Sequence, residues 1–450
     1  MKSFFKTNIT KIFAFMLLFC TSANANAINS YIKKSNYEHN STISIYVQNK
    51  LNNHTVYKKN EKKLLNPAST LKLLTFGASY KVLGENYKFE TTVYKDTNNN
   101  LYIKLGADPM MTSADLTALF ADVKNKIDVS KINNIYIDDL IIDKTPYPET
   151  WMQEDIWPYQ RAITPYIIDK NETEIAIKRS SLATKVDILQ DDEYKLPVIN
   201  ELKLGQNQEY KITRKYGEKS PIITFEGTIV KDEIKKLPVL NPQVNYIIKL
   251  NKALNKNKYL YSRKIQFAKT PSKVTKIASI GHTIEEIGTN ILHNSDNFSS
   301  EIVSKVAASK YIGQSHPATN SDMIKMFYDV YKNTINEDIK ITDSCGVSRA
   351  NLLNTEFLVN SLNYINSTTD IKALMSAPNQ GTLNNRMLFL KDNLKAKTGT
   401  LSNMSAIAGI LNSKKNNELS FAIIIQNSPK RSAVLKSFED NIISLLYRKY

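Results

Sequence analysis

An α+β protein, in which a long β-rich stretch interrupts a sheet-and-helix domain, is the fold class that three features of the chain predict. Near the start, Ile43-Ser44-Ile45-Tyr46-Val47 alternates as a strand, and Thr55-Val56-Tyr57 follows a polar turn at Asn52-Asn53, giving a hairpin. Near the end, Ala406 to Leu411 and Leu419 to Ile425 are near-continuous apolar runs joined by a polar turn over Asn412 to Asn417. That is the pattern of a hairpin buried on both faces. Between the two, from Thr91 to about Ser279, short strand-like runs dominate.

The remaining elements follow in order. Pro67 precedes a helical pattern from Ser69 to about Leu83, and Gly84 stands just past its end, the positions those two residue types favour. Thr91 to Tyr94 and Leu101 to Ile103 flank an Asn98-Asn99-Asn100 turn, and further strand-like runs lie at Asn134 to Ile137 and Glu174 to Ile177. Alternating segments between Lys203 and Lys236, such as Pro221 to Phe225, predict a nested subdomain at about 180–236. Helical texture returns over Ile284 to Leu292 and Glu301 to Tyr311. The last segment places apolar residues at Val434, Leu435, Phe438, Ile442, Leu445 and Leu446, a helix laying one face on the sheet. The expected domains are 28–90 joined with 280–450, and an inserted region at 91–279.

The 450 residues suffice for two or three domains, and 42% hydrophobic content marks a globular chain. Residues 1–25 read as a signal peptide. Lys2, Lys6 and Lys11 precede an apolar run from Ile12 to Cys20, and Ala23, Ala25 and Ala27 offer small-residue cleavage sites. The run is too short to span a bilayer comfortably. A soluble, exported, periplasmic protein is expected. Cys20 leaves with the signal, so Cys345 remains alone and no internal disulfide can form; a packed thiol is expected, with a nucleophile as the alternative that lacks an obvious His partner. Removing Lys2, Lys6 and Lys11 lowers the net charge from +17 to +14, which favours anionic surfaces. The lysines are scattered among asparagines, which argues against nucleic acid and for carboxylate-rich wall peptides or a membrane surface.

Three short motifs carry the chemistry. Lys397-Thr398-Gly399 occurs once, against a chance expectation on the order of once per several thousand positions. Ser69-Thr70-Leu71-Lys72 and Ser295-Asp296-Asn297 are less specific, since Ser30-Tyr31-Ile32-Lys33 and Ser361-Leu362-Asn363 have the same form. A serine hydroxyl attacks only when a base takes its proton, and on a helix Ser69 and Lys72 share a face. The lysine must be neutral for that role, and positive charge from Lys397 would lower its pKa. Ser295 and Asn297, on a polar turn, can relay a proton and fix a substrate amide. Singly, each serine also reads as a helix cap. Lys397, Thr398 and Thr400 open an apolar strand where cationic and hydroxyl groups can hold a carboxylate. Backbone amides of Ser69 and Thr400 are candidates for an oxyanion hole.

In this order the motifs, with longer stretches around them, resemble the class C low-molecular-mass penicillin-binding proteins. These are exported serine-type D-alanyl-D-alanine carboxypeptidases and endopeptidases. Pro67 to Leu74 is similar to the family's nucleophile helix, and Gly106-Ala107-Asp108-Pro109 to its Gly-Asp-Pro turn. Asp343 to Asn351 resembles the Asp-Gly-Ser-Gly-Leu-Ser-Arg-x-Asn signature, with Ser344-Cys345 replacing Gly-Ser. Gly381-Thr382-Leu383-Asn384-Asn385-Arg386 resembles the Gly-Thr-Leu-x-x-Arg segment. The resemblance runs from about Ile43 to the C-terminal helix and covers the insertion in patches.

It implies the serine penicillin-recognising fold, an α/β catalytic domain split in sequence, with a five-stranded antiparallel sheet flanked by helices and a large insertion. It also implies an acyl-enzyme on Ser69, with Lys72 as base, Ser295 and Asn297 in relay and positioning, and Lys397 and Thr398 holding the substrate carboxylate. Asp155, in the loosely matching Trp151 to Asp155 stretch, is carried over as a contact to the diamino acid side chain, a plain surface carboxylate being the alternative. Both terminal D-Ala and the D-centre of a cross-link present a carboxylate, so one pocket serves carboxypeptidase and endopeptidase cleavage of peptidoglycan peptides. β-Lactams are expected as covalent inhibitors, and no metal or organic cofactor is expected. The competing readings are a β-lactamase and a non-catalytic wall-binding or penicillin-sensing protein.

Overall fold

The computed structural model describes residues 26–156, 158–180, 185–190, 193–214, 222–259, 265–335 and 338–450; the expected signal peptide lies outside the described residues. The chain forms two compact units. The first comprises residues up to 81 with 288–296 and 327–450, and the second comprises 82–287 with 297–326.

The first unit is built on a five-stranded antiparallel sheet. Its strand order is Leu394–Leu401, Met404–Asn412, Glu418–Gln426, Thr42–Asn49 and Thr55–Lys59. The predicted N-terminal hairpin therefore pairs directly with the predicted C-terminal one, Ile45 opposite Ile423 and Val47 opposite Phe421. Strand side chains alternate between faces, which explains why both central strands read as unbroken apolar runs. On one face Ile407, Phe421, Ile423 and Ile425 form a core with Leu435, Phe438, Ile442 and Leu446 of the Ser432–Lys449 helix. On the other face Ser420 Oγ donates to Asn363 Oδ1 at 2.5 Å, and Ser44 Oγ lies 2.8 Å from Thr355 Oγ1. Both partners belong to the Thr355–Thr368 helix. A sheet covered by a helix on each side leaves its strands no solvent face to mark with polar residues.

The second unit contains a five-stranded mixed sheet in the order Gln266–Phe267, Ile135–Asp138, Leu101–Lys104, Thr91–Lys95 and Thr275–Ile280. It also holds two three-stranded sheets. One is Val198–Leu204, Ile223–Ile229 and Glu209–Arg214; the other is Glu233–Pro238, Glu172–Arg179 and Val186–Leu189. These small sheets share a core of their own, including Ile175, Ile177, Phe225 and Leu237. Two helices absent from the sequence reading, Ser113–Lys126 and Pro242–Lys256, pack Leu116, Phe120, Tyr246 and Leu250 into the core of the mixed sheet. Asp108, in the Gly-Ala-Asp-Pro turn, is buried and accepts from His282 Nδ1 at 2.7 Å and from the His282 amide at 3.1 Å. Among the described residues, no helix is long and apolar enough to cross a membrane.

Candidate active site

Ser69 sits in a 3-10 turn, Ala68–Leu71, which leads into the α-helix Lys72–Leu83. The predicted helix is thus present, with its first turn wound more tightly. Ala68 adopts φ 46°, a conformation that non-glycine residues seldom take and that the surrounding structure must hold in place. Asn66 supports it: its side-chain oxygen accepts from the Ala68 amide at 2.8 Å, and its Nδ2 donates to Ser348 O at 2.9 Å.

Lys72 is fully buried, and its Nζ donates to Ser69 Oγ at 3.0 Å and to the Cys345 carbonyl at 2.6 Å. Ser69 Oγ donates to the same carbonyl at 3.4 Å. The sequence reading weighs a packed thiol against a nucleophile for Cys345 and gives its backbone no role. The thiol is buried and donates to Asp343 Oδ2 at 3.8 Å, but it is the backbone carbonyl that meets the serine and the lysine. The signal for it was the Asp343 to Asn351 signature. Asp343 accepts from the Gly346 amide at 2.9 Å, the Ser348 amide at 2.6 Å and Asn351 Nδ2 at 2.7 Å. The Ser344 carbonyl accepts from Thr75 Oγ1 at 2.6 Å, tying the loop to the nucleophile helix. Gly346 has φ 82°, and a Cβ there would lie 2.0 Å from the Ala68 carbonyl oxygen. Only glycine lets this loop and the nucleophile turn approach so closely.

The strand Leu394–Leu401 brings the third motif to the same turn. A Cβ on Gly399 would lie 3.0 Å from the Ser69 amide nitrogen. Lys397 is fully buried and its Nζ donates to Ser295 Oγ at 2.9 Å and to Thr398 O at 2.7 Å. Burial, reinforced by the charge of nearby Lys72, holds the Lys397 amine well below its ordinary value. Thr398 is buried, while Thr400 at the strand's end is exposed.

The first unit therefore gathers Ser69, Lys72, Ser295, Lys397 and Thr398. Ser295 has φ 59°, the second non-glycine residue of the site in the left-handed region. Asn297 is the first residue of the Asn297–Tyr311 helix, not part of a longer turn ending near Glu301, and belongs to the second unit. Asp155 also lies in the second unit, in the short helix Gln153–Ile156, where its carboxylate accepts from the Met152 amide at 3.4 Å.

Penicillin-sensitive carboxypeptidase A of Dictyostelium discoideum is 21% identical over 445 residues, covering 87% of this chain and 83% of that protein. Penicillin binding protein 4 of Haemophilus influenzae has the same fold, with a TM-score of 0.80 at 18% identity over 94% of this chain and 99% of that one. A predatory endopeptidase of Bdellovibrio bacteriovorus, Bd3459, solved acylated by penicillin G, aligns with a TM-score of 0.52 at 15% identity over 90% of this chain and 93% of that one. The family model of the D-Ala-D-Ala carboxypeptidases 3 matches residues 24–449. With its length matched almost from end to end and a serine, two lysines and a second serine gathered beside one sheet edge, the chain belongs to the D-Ala-D-Ala carboxypeptidase 3 (S13) family.

Proposed function

We propose that the protein cleaves the D-Ala-D-Ala termini of peptidoglycan stem peptides, and the corresponding cross-links, through an acyl-enzyme on Ser69. The observation that carries this is the 3.0 Å contact between Ser69 Oγ and the fully buried Lys72 amine. In its neutral form Lys72 takes the serine proton as Oγ attacks the scissile carbonyl. The Ser69 and Thr400 amides receive the developing oxyanion. Ser295, held by Lys397, passes a proton to the leaving amine, and Asn297 positions the substrate amide. Thr398, Thr400 and Lys397 hold the substrate carboxylate.

The two buried amines repel each other, so charging one disfavours charging the other. A carboxylate arriving at Lys397 favours its ammonium form and thereby shifts the neutral form onto Lys72, which the attack requires. Substrate binding and activation of the base are linked in this way. Hydrolysis of the ester by water completes the cycle, and a β-lactam stops it at the acyl stage.

The same reading makes residues 1–25 an export signal to the periplasm, 91–279 an insertion in the catalytic domain, and Asp155 a contact for the diamino acid side chain. Incubation with purified pentapeptide and cross-linked muropeptides tests the activity. Wild-type protein should release D-alanine and resolve dimers, and Ser69→Ala should do neither. Unchanged muropeptides with folded wild-type protein would contradict the reading.

A further inference from the structure

The Gly381 to Arg386 segment has no part in the chemistry above, yet it links the site to the far helix of the sheet. The Arg386 side chain is only 11% exposed. Its Nε donates to Asp440 Oδ1 and Oδ2 at 3.2 and 3.3 Å. Its Nη2 donates to Asp440 Oδ1 at 2.6 Å, Glu439 Oε2 at 3.0 Å and Lys436 O at 3.3 Å. This planar fork fixes the end of the segment to the Ser432–Lys449 helix. The helix is itself held across the sheet by Leu435, Phe438 and Ile442.

At its other end the segment lies on the backbone that leads to Ser295. Gly381 has φ 47°, and a Cβ there would sit 2.1 Å from the His293 carbonyl oxygen. Just before it, Ser376 Oγ donates to Leu292 O at 3.4 Å, and Ser376 O accepts from the Ala396 amide at 2.9 Å. Ala396 immediately precedes Lys397. Residues 376–386 are therefore a spacer, touching the chain one residue before Lys397 and two residues before Ser295. Ser295 is in the left-handed region, a conformation that persists only where its surroundings dictate it.

We propose that Arg386 is a positioning residue for the Ser295 to Lys397 contact, its fork onto Glu439 and Asp440 setting the depth at which the 376–386 spacer holds the Ser295 loop. This role rests on the reading of Ser295 as the proton relay. A guanidinium is required in place of a simple charge, because a lysine at this position keeps the cation and loses the fork.

The test is a double-mutant cycle read by acylation with a fluorescent penicillin, at a temperature well below the unfolding transition of each variant. Arg386→Gln should slow acylation at least tenfold, since misplacement of about 1 Å costs on the order of 10²-fold. In a Ser295→Ala background the same change should alter the rate less than twofold, because the contact it positions is already gone. Arg386→Lys should not restore the rate. Equal slowing in both backgrounds, or no slowing in either, would overturn the positioning role. Wild-type acylation by Ser295→Ala alone would overturn the relay reading and this role with it, a result distinguishable from the other two. Should Arg386→Gln fail to fold, Asp440→Asn weakens the same fork from the other side and enters the cycle in its place.

Discussion

Replacing Gly346 by alanine perturbs the site at one calculable point. The added Cβ would lie 2.0 Å from the Ala68 carbonyl oxygen, 2.4 Å from its carbon and 3.1 Å from the Ser69 amide nitrogen. Real Cβ atoms essentially never come closer than 3.0 Å to such atoms, so the two backbones must part by at least about 1 Å. Neither can yield by a side-chain rotation. The loop side is held by three hydrogen bonds to Asp343, and the turn side by Asn66, so the displacement falls on the Cys345 carbonyl, Ser69 Oγ and Lys72 Nζ together. The φ of 82° adds strain of about 1–3 kcal/mol for any L side chain. A displacement of about 1 Å between reacting groups costs on the order of 10²-fold in rate, or about 2.7 kcal/mol of barrier. The assay is the acylation rate with a fluorescent penicillin, measured where thermal denaturation finds Gly346→Ala folded. A rate within threefold of wild type would refute the claim that this loop sets the geometry of the nucleophile.

Three further outcomes follow from the same geometry. Lys72→Met keeps the buried stem and removes the amine; acylation should fall by about 10²–10⁴-fold with the circular dichroism spectrum unchanged. Glu439 is buried, and burial pushes its carboxyl up to about 7 against the opposing pull of Arg386 and the Ser405 hydroxyl. A carboxyl raised in the folded state stabilises fully below its unfolded value and loses that contribution as pH rises through about 7. Urea unfolding should therefore weaken between pH 4.5 and 7 by up to roughly 3 kcal/mol from this group, and Glu439→Gln should flatten that slope. Phe438→Ala opens a cavity between the last helix and the sheet and should lower unfolding free energy by about 3–5 kcal/mol in urea titrations.

Much of the first unit was legible because its signals are local. The apolar runs ending at Leu411 and Ile425 are short, continuous and joined by a polar turn, the pattern of strands covered on both faces, and the helical repeat from Leu435 to Leu446 supplied one of the covers, with Val434 at its start exposed. The Ser69 to Lys72 spacing placed a serine and an amine on one helix face, and the structure brings them to 3.0 Å. The sequence reading missed several helices, Asn320–Tyr331 and Thr355–Thr368 among them and, in the second unit, Ser113–Lys126 and Pro242–Lys256, although the last two carry start signals. Thr112 and Asp115 form a capping box at one, and Asn241 with Pro242 opens the other. The sequence reading takes their apolar residues as part of the surrounding strand texture. The role of the Cys345 carbonyl could not be read from residue type, because a backbone group carries no side-chain signature. The left-handed conformations of Ala68 and Ser295 are likewise imposed by tertiary hydrogen bonds and packing, which no local propensity announces.

The most direct measurement of the central claim is peptide mapping by mass spectrometry after brief exposure to benzylpenicillin. A single penicilloyl adduct on the peptide containing Ser69, absent from Ser69→Ala and greatly slowed in Lys72→Met, is the predicted result. An adduct on another residue, or undiminished labelling of Ser69→Ala, would contradict the assignment of Ser69 as the nucleophile.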